Sequence, residues 1–185
     1  MYKNFFLPIQ IFLILEKNDI NFFYSRASKY KNFFFVFNID YLNLSINILK
    51  HELFLNKSTL LEASVVDLKK YNIKNFFNKK FFILYYVFFN YINNCHYIFL
   101  SFLNKNIGTK SINLIYKNSN WLEREFYEMY GIILYNKKDL RKLLLDYSKN
   151  ENPMLKNFPC EGISDVYYNF FDSQINYIQN EIVEL

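Results

Sequence analysis

The chain has 185 residues, 52% apolar and 21% charged, with a formal net charge of +5; this describes one folded domain with a core and excludes a disordered or linker protein. Its three glycines stand far apart at 108, 131 and 162, so neither a phosphate-cradling loop nor a glycine-rich dinucleotide turn can be built. The two cysteines, Cys95 and Cys160, exclude a disulfide scaffold and a four-thiolate cluster held by this chain alone.

The first predicted element is Phe5 to Leu15, a short apolar run that follows Lys3 and ends in Glu16-Lys17-Asn18-Asp19. It is too short to span a bilayer and lacks a small-residue cleavage site, so it reads as a buried part of an N-terminal segment, residues 1–32. Phe33 to Asn38 is a β-rich run. Tyr41 to Leu55 then places Leu42, Leu44, Ile46, Leu49, Leu53 and Phe54 near helical spacing, with Asp40 as N-cap. Leu60 to Leu68 reads as a second strand. Phe81 to Leu103 is uncharged apart from His96 and long enough to cross a bilayer, but Asn90, Asn93, Asn94, Cys95, His96 and Ser101 divide it. A hairpin with its turn near Asn93-Asn94 fits that pattern better than a transmembrane helix.

Thr109 or Ser111 caps a helix predicted from Ile112 through Trp121 to Tyr130, with Asn118 to Asn120 as a point where it could divide and Gly131 as its stop. Leu114, Ile115, Leu122, Phe126, Met129 and Tyr130 are its inward residues. Asp139 to Tyr147 has the length of two helical turns, Ser148 to Gly162 is punctuated by Asn, Pro and Gly, and Val166 to Leu185 carries helical and extended signals equally. The fold class is therefore α+β: a mixed or antiparallel sheet with two to three helices and an extended C-terminal wrapping segment. Residues 33–131 form the core domain, and 132–185 an extended interface region that needs a surface to lie on.

The composition carries its own signal, since 22 Phe and 17 Tyr stand against two alanines, and 19 of the 22 basic residues are lysine. The favoured residues have codons rich in A and T, which points to an organelle genome or an AT-biased parasite or symbiont and weakens any functional reading of the aromatic excess. The densest charged cluster is Glu123-Arg124-Glu125 with Glu128. On a helix Arg124 and Glu128 are four apart and can pair; carboxylates so placed do acid–base work only when burial splits their pKa values. His51, Cys95, His96 and Cys160 offer one adjacent pair, at the hairpin turn, which reads as structural rather than metal-ligating. No nucleophile setting is present. What remains by elimination is a domain that binds something protein-sized. The competing reading is an aromatic, basic sheet that stacks single-stranded RNA, as in an organellar ribosomal or RNA-binding protein, although the Gly-aromatic-Gly run of such sheets is missing and arginine is scarce. A membrane-associated protein is a third reading.

An ordered motif narrows the choice. Asn120, Trp121, Glu123, Arg124, Glu125, Tyr127, Met129 and Gly131, with Glu128 where Asp is usual, are followed by Asp139-Leu140-Arg141-Lys142 and Leu144-Leu145-Asp146-Tyr147. Pro153, Lys156, Phe158, Pro159 and Gly162 close the set. This resembles the hydrophilic core subunit of respiratory NADH:quinone oxidoreductase (complex I), the family of mitochondrial subunit nine and its bacterial counterpart. Upstream, LLEASVVDL resembles that family's strand with its Val-Asp ending, so the likeness spans residues 33–169 and is densest over 120–162. Asn136-Lys137-Lys138 departs from the family's Gly-His-Pro, and Ser148, Asn152, Leu155 and Asn157 replace Gly, His, Arg and Asp.

The resemblance implies a non-catalytic scaffold subunit of the peripheral arm, with no active site of its own, supporting the quinone-reducing module in electron transfer from NADH to ubiquinone by a proton-pumping enzyme. It implies no cofactor in this subunit, while the complex as a whole uses FMN, iron–sulfur clusters and ubiquinone. Its expected partners are other peripheral-arm subunits, especially the large quinone-cavity subunit and the adjacent cluster-bearing subunit. No nucleic acid is expected, and membrane contact only through the complex. The expected location is the matrix side of the mitochondrial inner membrane, the chain being organelle-encoded and needing no presequence. The helix end from Glu123 to Gly131 and the wrap from Asp139 to Gly162 are the expected interface, with Arg124 and Arg141 making charge-assisted contacts.

Overall fold

The computed structural model describes residues 13–20, 22–27, 32–51, 58–69, 82–104, 107–148 and 150–180. Five strands form the central sheet: β1 (Phe22–Ala27), β2 (Asn32–Phe37), β3 (Ser58–Asp67), β4 (Phe82–Asn90) and β5 (Cys95–Leu103), in spatial order β1-β2-β5-β4-β3. Only β2 and β5 run parallel. The connection from β2 back to the far edge uses helix α1 (Ile39–His51), because strands that end up parallel need a crossover rather than a tight turn. Two short strands, β6 (Thr109–Lys110) and β7 (Leu134–Tyr135), pair in parallel, and β8 (Ser164–Asn169) and β9 (Gln174–Gln179) form a separate hairpin.

Strict alternation decides which face of the sheet is buried. In β4 and β5 every second residue, Phe82 to Asn90 and Cys95 to Leu103, is buried, and the same holds for Phe33, Phe35 and Phe37 in β2. The rings interlock across strands: Phe35 and Phe37 meet Phe99 edge-on at 5.5 and 5.3 Å, and Phe33 stacks on Tyr97 at 5.5 Å. Leu42, Ile46 and Leu49 of α1 and Phe126 of helix α2 (Ser119–Tyr130) cover this face and complete one core.

The α+β class and the mixed sheet are as the sequence predicts, and the uncharged stretch over 82–103 is a β-hairpin; no helix among the described residues is long and apolar enough to cross a membrane. Other expectations need correction. The sheet begins before residue 33, with β1. Helix α1 starts at Ile39, and Asn38 accepts the first turn's bonds from Tyr41 and Leu42, so Asp40 sits inside the helix rather than capping it. Leu44 faces solvent, and Leu53 and Phe54 lie outside the described residues, as does Phe5 to Phe12. Helix α2 starts only at Ser119: residues 112–118 form turns, and Leu114 is 92% exposed rather than inward. Residues 139–147 are not helical, and 164–179 are two strands joined by a turn at 170–173.

Candidate functional site: a helix that holds the C-terminal strap

Helix α2 contradicts ordinary amphipathic logic, since Glu123, Arg124 and Glu128 are buried on it while Trp121 is 60% exposed. Buried charge is tolerated only when paired and hydrogen-bonded, and each of these three groups is engaged by the chain that follows the helix. Glu123 is wholly enclosed. Its Oε1 accepts the Ile112 N–H at 2.7 Å, and its Oε2 accepts the Ser111 hydroxyl and the Lys137 ammonium, the latter at 3.0 Å. Lys137 also donates to the Asn120 carbonyl at 2.8 Å. A lysine thus stands where the family pattern has histidine and ties the β7 turn to the helix.

Arg124 reaches the other way, its Nε donating to the Arg141 carbonyl at 2.8 Å and a terminal nitrogen to the Lys142 carbonyl at 3.3 Å. Its guanidinium lies 5.5 Å from the Trp121 ring centre. Glu128 does not pair with Arg124 as the four-residue spacing suggests. It accepts the successive N–H groups of Leu143, Leu144 and Leu145, filling a concavity of backbone donors of the kind that binds anions. Burial pushes the Glu128 pKa up, but those donors and the Lys142 ammonium outweigh it and hold the carboxyl below its ordinary value.

Further along, Gly131 ends the helix in the left-handed region, φ 70°, with its N–H on the Tyr127 carbonyl at 2.9 Å. Asn152, another family histidine position, donates to the Glu128 carbonyl at 2.7 Å and packs so closely that a Cβ at Gly131 would lie 2.7 Å from its Oδ1. Asp67 closes the strap from the sheet side. Buried at the end of β3, it accepts the N–H of Lys69 at 2.9 Å and of Lys156 at 3.0 Å. Leu155, at a family arginine position, packs against the core.

The remaining motif residues divide by exposure. Asp139 and Arg141 form a bidentate pair with both contacts at 2.9 Å, and the Arg141 hydrogen bonds hold the Asp139 carboxyl well below the usual range and raise the guanidinium. Asp146 accepts the Ser148 N–H at 3.1 Å, and Tyr147 donates to the Lys142 carbonyl at 3.1 Å with its ring outside. Glu125 is exposed, while Tyr127, Pro153, Lys156, Phe158 and Pro159 are half-buried. Gly162 turns with φ 76°, its N–H on the Pro159 carbonyl.

The geometry brings Glu123, Arg124 and Glu128 into contact with 111–112 and 137–145, and it turns Trp121, Leu144, Tyr147 and Met154 to solvent, each more than half exposed. Sequence reasoning missed Ser111, Lys137, Asn152 and Asp67 as parts of the site. Each had left a trace of another kind: Ser111 as a cap candidate, Lys137 and Asn152 as departures from the motif, and Asp67 as an acidic residue ending an apolar strand. Both Glu123 oxygens are occupied by structural donors, so this carboxylate is an anchor rather than a general base. Among the described residues no group of His, Cys, Asp and Glu is placed to hold a metal ion; Cys95 is buried with its thiol on the Asn93 carbonyl, and the His96 ring lies against Phe89 at 5.0 Å.

The chain is similar to known proteins in sequence and in fold. The family model described as respiratory-chain NADH dehydrogenase, 30 Kd subunit, matches residues 37–164. NADH-ubiquinone oxidoreductase subunit 9 of Paramecium primaurelia is 33% identical over 186 residues, covering 98% of this chain and 88% of that one. A bacterial NADH-quinone oxidoreductase subunit, from Neorickettsia sennetsu, is 40% identical over 63 residues, 34% of each protein. The fold is shared with a component of a membrane-bound sulfane sulfur reductase, an archaeal respiratory membrane complex, with TM-score 0.66 at 16% identity over 83% of this chain and 85% of the other. From the matched length and the full-length similarity alike, this chain belongs to the 30 Kd subunit family of the respiratory-chain NADH dehydrogenase.

Proposed function

We propose that this chain is a core scaffold subunit of the peripheral arm of proton-pumping NADH:quinone oxidoreductase, on the matrix side of the mitochondrial inner membrane. It carries no flavin, cluster or quinone ligand of its own and supports the quinone-reducing module by packing against the large quinone-cavity subunit and the adjacent cluster-bearing subunit. The mitochondrial setting is supported by the Paramecium relative and by subunit 9 of Dictyostelium discoideum, 33% identical over 103 residues.

One observation carries the interface reading. The buried charges of α2 are consumed in fixing residues 137–145, Asn152 is tied to the Glu128 carbonyl, and the surface around them presents Trp121, Leu144, Tyr147 and Met154. Exposed Trp and Tyr on a rigid support are the side chains that dominate protein interfaces. The expected roles of Arg124 and Arg141 change accordingly: Arg124 shapes the surface from beneath, and Arg141, held by Asp139, is displayed at it.

The RNA-binding alternative is not favoured. The half-buried face of the sheet carries Phe34, Val36, Tyr85, Val87, Ile98, Leu100 and Phe102, and strands β2, β4 and β5 contain no Lys or Arg to meet phosphates. The test is Leu144→Asp and Tyr147→Asp in the native complex. Each variant is expected to fold and to lower incorporation into the peripheral arm on native gels. Unchanged incorporation would remove this surface from the interface.

A further inference from the structure

Two contacts fix how helix α2 lies along the sheet. At its start Asn118 donates to the Leu60 carbonyl of β3 at 2.6 Å, and at its end the Tyr130 ring meets Phe82 of β4 edge-on at 6.5 Å. Leu60 is opposite Phe88 and Asp67 is opposite Phe82, so the helix follows the β3–β4 pair from one of these levels to the other. Near the middle of that line Ala63 stands opposite Tyr86 on the sheet, and Glu123 is the helix residue at the same level. Ala63 is buried and small, which leaves room under the helix for the Tyr86 ring beside it. Ser119 precedes Glu123 by one turn and shares its side of the helix.

The groups that meet there are closed off from solvent: Tyr86, Ser119 and Glu123 are each 0% exposed. Among the described residues neither the Tyr86 hydroxyl nor the Ser119 hydroxyl has a hydrogen-bond partner. Folded proteins leave few buried hydroxyls in that condition, because each has given up its bonds to solvent for nothing. Burial, and after it the Glu123 charge, push the Tyr86 hydroxyl well above its ordinary pKa, so it stays an O–H donor within the field of the carboxylate.

Glu123 has capacity to spare. A carboxylate offers about four acceptor positions, and the Ile112 N–H, the Ser111 hydroxyl and the Lys137 ammonium take three of them. A molecule that satisfies the site must accept from the phenol, donate to the carboxylate and share a bond with the serine. It must also be neutral, since Lys137 already balances Glu123. Water has these properties and the size for an enclosed polar site.

We propose that one ordered water is enclosed between β4 and α2, accepting from the Tyr86 hydroxyl, donating to Glu123 and bonded to Ser119. It joins the anchor of the strap to the sheet, so the strap is held by the core as well as by the helix.

Urea unfolding of the full chain reads the sign of the effect. A phenol without a partner is relieved by Tyr86→Phe, and the folding constant rises; a bridged phenol loses its bonds, and the constant should fall about fivefold. Ser119→Ala should cost less in the Tyr86→Phe background than alone, because both hydroxyls hold the same molecule. A high-resolution crystal structure of the wild-type chain should show water within about 3 Å of both hydroxyl oxygens. A folding constant that rises or stays level in Tyr86→Phe, costs that strictly add, or density showing the two hydroxyls bonded to protein atoms instead would each overturn the proposal.

Discussion

The enclosed pair Glu123–Lys137 gives the sharpest energetic prediction, because its side chains are 0% and 1% exposed and 3.0 Å apart. Replacing Glu123 by Ala strands the Lys137 ammonium, the Ile112 N–H and the Ser111 hydroxyl together. Removing one member of a buried pair costs about 3–5 kcal/mol, a large part of the roughly 5–15 kcal/mol that stabilises a domain. Lys137→Met should lie near the lower figure, since Glu123 keeps two donors. The double variant Glu123→Ala/Lys137→Met removes both charges at once, leaving the smaller side chain and the orphaned Ile112 N–H, the latter at about 1–3 kcal/mol. The double variant should therefore be more stable than Glu123→Ala alone. Urea unfolding of the three variants and the wild-type full chain measures this directly. Destabilisations that simply add would show that the two groups are not coupled and would refute the view of Glu123 as the anchor of the strap.

Three further outcomes follow from the same layer. Glu128 has a folded pKa depressed below 4.5, so its contribution is fully present above that value and is lost as pH falls through the depressed folded value; hydrogen exchange should show the Leu143–Leu145 amides opening on acidification in the wild type, and already near pH 7 in Glu128→Ala. Gly131→Ala forces a Cβ at φ 70° onto Asn152 and should cost about 1–2 kcal/mol in thermal unfolding. Arg124→Ala removes the donor to the Arg141 carbonyl and one of the donors to the Lys142 carbonyl, so trypsin should cut after Arg141 about tenfold faster, with cleavage outside this stretch unchanged.

How far the sequence carried these conclusions depended on whether a signal was local. The β4–β5 hairpin was readable because apolar residues alternate on either side of an Asn-rich turn, and Asn94 takes the positive φ, 53°, that such a turn requires. Strand β1 was not, because Phe22-Phe23-Tyr24-Ser25-Arg26-Ala27 shows no period of two. Residues 139–147 look helical in isolation, but Glu128 takes the N–H groups of 143–145 that a helix would give to carbonyls four residues back. The motif located the site, yet the burial of its charges was hidden: the partner of Glu123 is 14 residues away at Lys137 and that of Asp67 is 89 residues away at Lys156. Pairings of that range are set by the packing of α2 on β3, which no window along the chain contains.

The central claim, that this chain works as a subunit of NADH:quinone oxidoreductase, is tested most directly by sedimenting mildly solubilised mitochondria and following the chain with an antibody. Comigration of the chain with NADH dehydrogenase activity is the predicted result. Cosedimentation with ribosomes, with none of the chain in the active fractions, would contradict it.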